Sequence, residues 1–274
     1  TITVQLKDAQ GNLLTAAGGT VVVSKASGGG TVAATTNNNN GTYTAIFTSP
    51  TTVGTTVIQA TVGGSTITDT ETITLRHGVA NKLVITQAPF AGASSSLLTT
   101  QPRVTLQDIN GNTVTSNSVD TVTVAISSGA NGNLTGTKTL VLSSGVAAFT
   151  DLNLAGKTGT NYVLRFESGL FSTTSANIQV AAGAASTVTS NVAVSSNSLT
   201  ANGTSTSTIT VTLRDSESNQ LPTGGQTVAL SVTSGFGSIG TVTDNGNGTY
   251  TATYTSGTTV GTATISATLN TAAI

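Results

Sequence analysis

The sequence predicts an all-β protein made of antiparallel β-sandwiches in tandem, three of them stacked as an elongated rod. Three observations carry that expectation. Apolar residues recur with a period of two in many short stretches, Asp, Asn and Gly clusters separate the stretches, and one block of sequence occurs twice.

Ile2, Val4 and Leu6 alternate with polar residues, and so do Tyr43, Ala45 and Phe47, then Ile58, Ala60 and Val62. The pattern returns at Val122, Val124 and Ile126, at Tyr162, Leu164 and Phe166, and at Ile209, Val211 and Leu213. Successive side chains of a strand point to opposite faces, so each run describes a strand buried on one side and solvated on the other. Turn formers at Asp8–Asn12, Asn37–Gly41, Asp108–Asn112 and Asp244–Gly248 break the runs at the spacing of a sandwich. No stretch has a convincing helical period, and abundant Thr and Val favour strands through their branched Cβ.

Residues 1–67 superpose on 208–274 without a gap, and about half of the positions are identical. The match includes Ile2-Thr3-Val4 over Ile209-Thr210-Val211, Asp8 and Asn12 over Asp215 and Asn219, and Asn40-Gly41-Thr42-Tyr43-Thr44-Ala45 over Asn247-Gly248-Thr249-Tyr250-Thr251-Ala252. Between the copies lies a related unit with its own Asp-containing hairpin, Asp108-Ile109-Asn110-Gly111-Asn112. Short joints at Arg76-His77-Gly78 and Ala181–Ala185 give expected domains at 1–77, 78–181 and 182–274, too closely spaced for free linkers.

The outer copies are cut differently. Val192-Ala193-Val194 and Leu199–Thr204 lead the last unit and have no counterpart ahead of the first, whereas Thr68–Leu75 closes the first and has none in the last. The outer two domains are therefore expected to be incomplete at their edges, and two explanations stay open. The sequence is a window from a longer array, in keeping with a first residue that is not Met, or neighbouring copies donate the strands.

Composition narrows the function. The chain has 274 residues, no Cys, no Met, no Trp and a single histidine, His77, which removes thiol chemistry and paired imidazoles. Charged residues make up 7% and the net charge is −1, with no basic stripe for phosphates and no polybasic cluster for lipid. Nucleic acid and membrane insertion are not expected. A mean hydropathy of +0.18 argues for a folded chain, and a protein without thiols suits an extracellular setting.

Leu199-Thr200-Ala201-Asn202-Gly203, Ile209–Asp215, Asn247–Ala252 and Gly261-Thr262-Ala263 resemble the bacterial immunoglobulin-like domains of the invasin and intimin type. The middle unit is similar, more loosely, to immunoglobulin-like or filamin-like repeats of large bacterial surface proteins, through Gly145–Phe149 and Gly159–Phe166. The resemblance implies an extracellular stalk at the bacterial surface. In that family receptor binding resides in a terminal lectin-like module, which these residues do not show, so a host or cell-surface receptor is left unspecified.

Candidate chemistry is sparse, and no catalytic residue is assigned. His77 sits in a joint without a nucleophile-elbow sequence beside it and reads as structural. Asp69 and Glu71 are spaced to share one face of a strand, and Gly28-Gly29-Gly30 lacks the Lys-Ser/Thr of a phosphate loop. Calcium is the one cofactor to weigh, at Asp69, Glu71 and Asp108, although turn chemistry explains the Asp and Asn residues as well. Asn40, Asn133, Asn202 and Asn247 match the glycosylation pattern, with Asn40 and Asn247 also explained as Asn-Gly turns. Tyr43 and Tyr250 are placed to anchor a sandwich corner through their hydroxyls, with Phe47 and Tyr254 packing beside them.

The sequence therefore predicts a non-enzymatic structural protein, a segment of a surface adhesin stalk or cell-surface fibre whose partners are neighbouring immunoglobulin-like domains. The alternatives are a filament or surface-layer subunit completed by strand donation, and a module that binds glycan or another cell.

Overall fold

A computed structural model describes all residues, Thr1–Ile274, and contains strands, turns and bends but no helix. Every sheet draws its strands from one of three stretches of sequence, 2–75, 82–174 or 185–273.

In the first stretch, Thr42–Ala45 lies between Ile2–Gln5 and Thr36–Asn37. In the facing sheet Gly54–Val62 has Val21–Ser27 on one edge, with Glu71–Leu75 and Ser65–Thr66 on the other. Period-two patterning puts Val21, Val23, Tyr43, Ala45, Ile58 and Ala60 between the sheets, with Ile2, Val4, Leu6 and Ile73 packed around them. The strand pairings of this stretch are antiparallel.

The third stretch repeats this plan. Thr206–Asp215 pairs with Ala185–Val194 and Thr249–Ser256, while Thr264–Leu269 pairs with Val228–Ser234 and Ala272–Ala273. Its core holds Val211, Leu213, Leu221, Tyr250, Ala267 and Leu269. The middle stretch has Asn153–Ala155 between Ser96–Leu97 and Asn133–Thr135, and Val163–Ser168 between Thr121–Ser128 and Phe171–Thr174. Leu152, Leu154, Tyr162, Leu164 and Phe166 are fully buried there, and the rings of Phe149 and Phe166 meet at 5.7 Å in a tilted pair.

The corner tyrosines behave as their positions predict. Tyr43 donates to the Gly19 carbonyl at 2.7 Å and accepts from the Gly18 amide at 3.1 Å, and the Tyr250 hydroxyl accepts from the Gln226 amide at 2.8 Å. Phe47 and Tyr254 are only half-buried. Burial raises the pKa of Tyr250, so the hydroxyl stays protonated at neutral pH. Tyr250→Phe should lower the stability of the third sandwich by about 1 kcal/mol in a denaturant melt, the worth of one such bond. An unchanged midpoint would mean that the ring alone holds the corner.

By spatial proximity the chain divides into two compact units. One comprises residues 1–82, 106–118 and 143–146, and the other comprises 83–105, 119–142 and 147–274.

Candidate functional site: the joints

Each unit contains one joint, and both joints are built from the same parts. The hairpin at each is an Asp-x-x-x-Asn loop, and its fourth residue takes a left-handed backbone: Gly111 at φ 89° and Ser218 at φ 60°. That turn aims the carboxylate of the leading aspartate back at the loop amides, the geometry of an Asx turn.

In the first unit Asp108 Oδ1 accepts the amides of Asn110 and Asn112, both at 2.9 Å. Its Oδ2 accepts the Asn112 side-chain amide at 2.9 Å and the backbone amide of the joint residue Gly78 at 2.8 Å. Asn112 then reaches the preceding sandwich. Its amide donates to the Thr51 carbonyl at 2.8 Å, and its carbonyl accepts the Val53 amide at 3.2 Å.

In the second unit Asp215 Oδ1 accepts the amides of Glu217 at 2.9 Å and Asn219 at 2.8 Å. Oδ2 accepts the Asn219 side chain at 2.9 Å and the joint residue Gly183 at 2.7 Å. Asn219 donates to the Gly156 carbonyl at 2.9 Å and accepts the Thr158 amide at 3.0 Å. The Lys157 ammonium donates to the Glu217 carbonyl, and the hydroxyls of Ser95 and Ser216 meet at 3.1 Å.

One aspartate thus fixes the connecting backbone, and one asparagine closes a two-way bond across the joint. Asp108 and Asp215 have essentially no exposed surface, 0% and 1%, so water competes poorly for these groups. The loop Asp8–Asn12 makes the same internal bonds, from the amides of Gln10 and Asn12 and from the Asn12 side chain, yet it lies exposed.

The Asn112 side chain and the Gly78 amide, with the loop amides, hold the Asp108 carboxyl at about 2, well below its ordinary value. Burial pushes Asp215 up, but the Gly183 amide and the Asn219 bonds outweigh it and the net shift is downward. Because the folded pKa lies below that of an unfolded chain, about 3.9, ionised Asp108 stabilises the joint above about pH 4. The contribution fades as the pH falls toward 2. The Gly78 amide proton should therefore titrate by NMR with a midpoint near 2, whereas a midpoint near the ordinary value, about 4, would show that the bond is not held in solution.

Other sequence-predicted residues fall as follows. All four oxygen contacts of Asp108 go to N–H donors, and no group of three or more His, Asp or Glu side chains comes together as a metal site. Asp69 and Glu71 are exposed, and the strand begins at Glu71, so the two do not share a strand face as their spacing suggested. His77 Nδ1 faces the Gly78 carbonyl at 2.7 Å and Nε2 accepts the Ser116 amide at 3.3 Å, which makes it a joint residue with its proton on Nδ1. Asn40, Asn133, Asn202 and Asn247 are all exposed. Asn40 and Asn247 accept both the amide and the hydroxyl of Thr42 and Thr249, and Asn202 accepts the amides of Thr204 and Ser205.

Asn112, Asn219, Gly78 and Gly183 were legible only as turn and linker residues. The available signal was the recurring Asp-x-x-x-Asn at Asp8, Asp108 and Asp215, each of the last two preceded by a joint glycine roughly 30 residues earlier.

Paired antiparallel sheets, corner tyrosines and short hydrogen-bonded joints define a tandem immunoglobulin-like protein. The family model for invasin, domain 3, matches residues 1–78 and 186–274, more than half of the chain, and the chain belongs to that family. Among solved structures, the Escherichia coli adhesin FdeC is 21% identical with a TM-score of 0.51, over 96% of this chain and 84% of that one. Yersinia pseudotuberculosis InvD is 20% identical with a TM-score of 0.50, over 99% and 89%. Invasin, described as a bacterial integrin-binding protein, is 20% identical with a TM-score of 0.38, and the alignment spans 99% of this chain but 53% of that structure. No curated protein sequence matches the chain.

Proposed function

We propose that the chain is a spacer segment of a bacterial surface adhesin, with sandwiches at 1–77, 78–181 and 182–274 linked into a semi-rigid extracellular stalk. The observation that carries this reading is the duplicated joint, in which Asp108 with Asn112 and Asp215 with Asn219 tie a linker glycine and the end of the preceding sandwich to the same hairpin. Membership in the invasin domain 3 family and the fold shared with an adhesin support it. The role is mechanical. Cross-strand bonds resist stretching, locked joints resist bending, and the Thr- and Ser-rich, nearly uncharged surface stays hydrated without attracting polyanions or lipid. The partners on this reading are adjoining sandwiches of the same kind, with receptor contact made elsewhere in the adhesin.

Small-angle X-ray scattering on the 274-residue chain tests it. An elongated particle with a longest dimension near three sandwich lengths is expected, and a compact globule would overturn the stalk.

A further inference from the structure

Six asparagines precede a glycine, Asn40, Asn110, Asn131, Asn202, Asn245 and Asn247, and all of them are exposed. Such a pair is able to close on itself, because a following residue without a side chain lets its amide nitrogen reach the asparagine Cγ. The reaction needs a side chain free to turn and a following peptide free to rotate. The fold grants both to one of the six.

The other five are held. Asn40 and Asn247 accept the amide and the hydroxyl of the threonine two residues on, and the Asn247 carbonyl also accepts from the Gln220 side chain at 3.1 Å. Asn202 accepts two amides through its side chain, and the Gly203 amide donates to the Gly257 carbonyl at 3.3 Å. The Asn245 side chain donates to Thr249 and accepts from Thr251, while the Gly246 amide donates to the Asp244 carboxylate at 2.8 Å. At Asn110 the side chain is free, but the Gly111 amide donates to the Asp108 carbonyl at 3.1 Å. Asn131 has no such restraint, for neither its side chain, its carbonyl nor the Gly132 amide makes a hydrogen bond within the protein. Its backbone lies in the left-handed region at φ 58°, and a turn about Cα–C brings the Gly132 nitrogen to Cγ with no bond to break.

We propose that Asn131–Gly132 is a site of spontaneous deamidation in the folded chain, and that the isoaspartate formed there unseats its loop from Tyr162. The Gly132 amide nitrogen bonds to Asn131 Cγ, and the carboxamide nitrogen leaves as ammonia with the proton that the amide gives up. The cyclic imide that remains takes up one water. Opening at one C–N bond gives aspartate, and opening at the other leaves the main chain running through the former side-chain carbonyl, longer by a methylene. Either product puts a carboxylate where a neutral amide stood. The loop has little room for the longer path, since a Cβ added to Gly129 or Gly132 would strike the Tyr162 ring. That residue is 0% exposed, and its hydroxyl donates to the Ala130 carbonyl at 3.4 Å and accepts the Lys157 amide at 2.7 Å.

The test ages the intact 274-residue chain in neutral buffer and follows all six sites by peptide mapping with isoaspartate labelling. In the folded chain Asn131 should convert about fivefold or more faster than each of the others, the factor that one hydrogen bond is worth. In guanidinium chloride, where every restraint is lost, the six rates should converge. Any other site keeping pace with Asn131 in the folded chain would overturn the assignment. The isoaspartate fraction should also melt at a lower temperature in its middle sandwich than Asn131→Asp, which carries the same charge on a backbone of normal length. Equal melting of the two would overturn the unseating of the loop.

Discussion

Gly248→Val is expected to unfold the third sandwich at temperatures where the rest of the chain stays folded. Gly248 has φ 77°, and a Cβ there would run into the backbone carbonyl of Leu221, a group held in place by the bond from the Leu221 amide to the Leu213 carbonyl. The Gly248 carbonyl also accepts the Leu213 amide at 2.9 Å, so the backbone cannot swing away without losing a bond to a core strand. Left-handed strain in a β-branched residue and a clash with immobile backbone together cost about 4 kcal/mol or more. Gly246 is the control, because it too has a positive φ, 74°, but an added Cβ there meets open space. Gly246→Val should show strain alone. Separate melting transitions resolve the comparison, and equal losses from the two variants would show that the Leu221 carbonyl yields. Gly41, with φ 80° against the Leu14 carbonyl, should repeat the result in the first sandwich.

Asp215→Ala is the second large effect. It removes the acceptor for the amides of Gly183, Glu217 and Asn219 and for the Asn219 side chain, in a loop where Asn219 is only 5% exposed. A buried donor left unsatisfied costs about 1–3 kcal/mol, and some of the four will find water, so a loss of about 3 kcal/mol is expected. Gly183 should lose amide protection in the same experiment, because its partner is gone. Asp8→Ala removes the same internal loop bonds at an exposed site and should be much milder. If Asp8→Ala and Asp215→Ala are equally damaging, the aspartate is a local turn device and the joint owes it nothing.

How far the sequence could be read follows from the range of each interaction. Alternation at Ile2, Val4 and Leu6 and at Ile209, Val211 and Leu213 is local, and it was enough to predict strands and their inward faces; Ile209, Val211 and Leu213 are fully buried, whereas Ile2, Val4 and Leu6 are half-buried at the margin of their core. Tyr43 and Tyr250 were legible because a hydroxyl after an Asn-Gly turn has a recurring use. Asp108 was harder to place. Its residue type fits a turn, a calcium ligand or a joint clamp equally well, and only the arrival of the Gly78 amide, thirty residues away in the chain, distinguishes the last. Asn112 and Asn219 carried no local hint of their contacts to Thr51 and Gly156, which lie about sixty residues away. The pairing of Asp69 with Glu71 failed for a simpler reason: spacing of two implies one face only inside a strand, and the strand starts at Glu71.

The most direct test of the joint as a lock is a distance distribution measured across it. With no native cysteine, Ser172→Cys and Ala229→Cys, both at exposed strand positions in the second unit, give two unique spin-label sites for pulsed electron–electron resonance. A narrow distribution that broadens strongly when Asp215→Ala is added is the predicted result. Equally broad distributions with and without Asp215 would contradict the locked joint and, with it, the semi-rigid stalk.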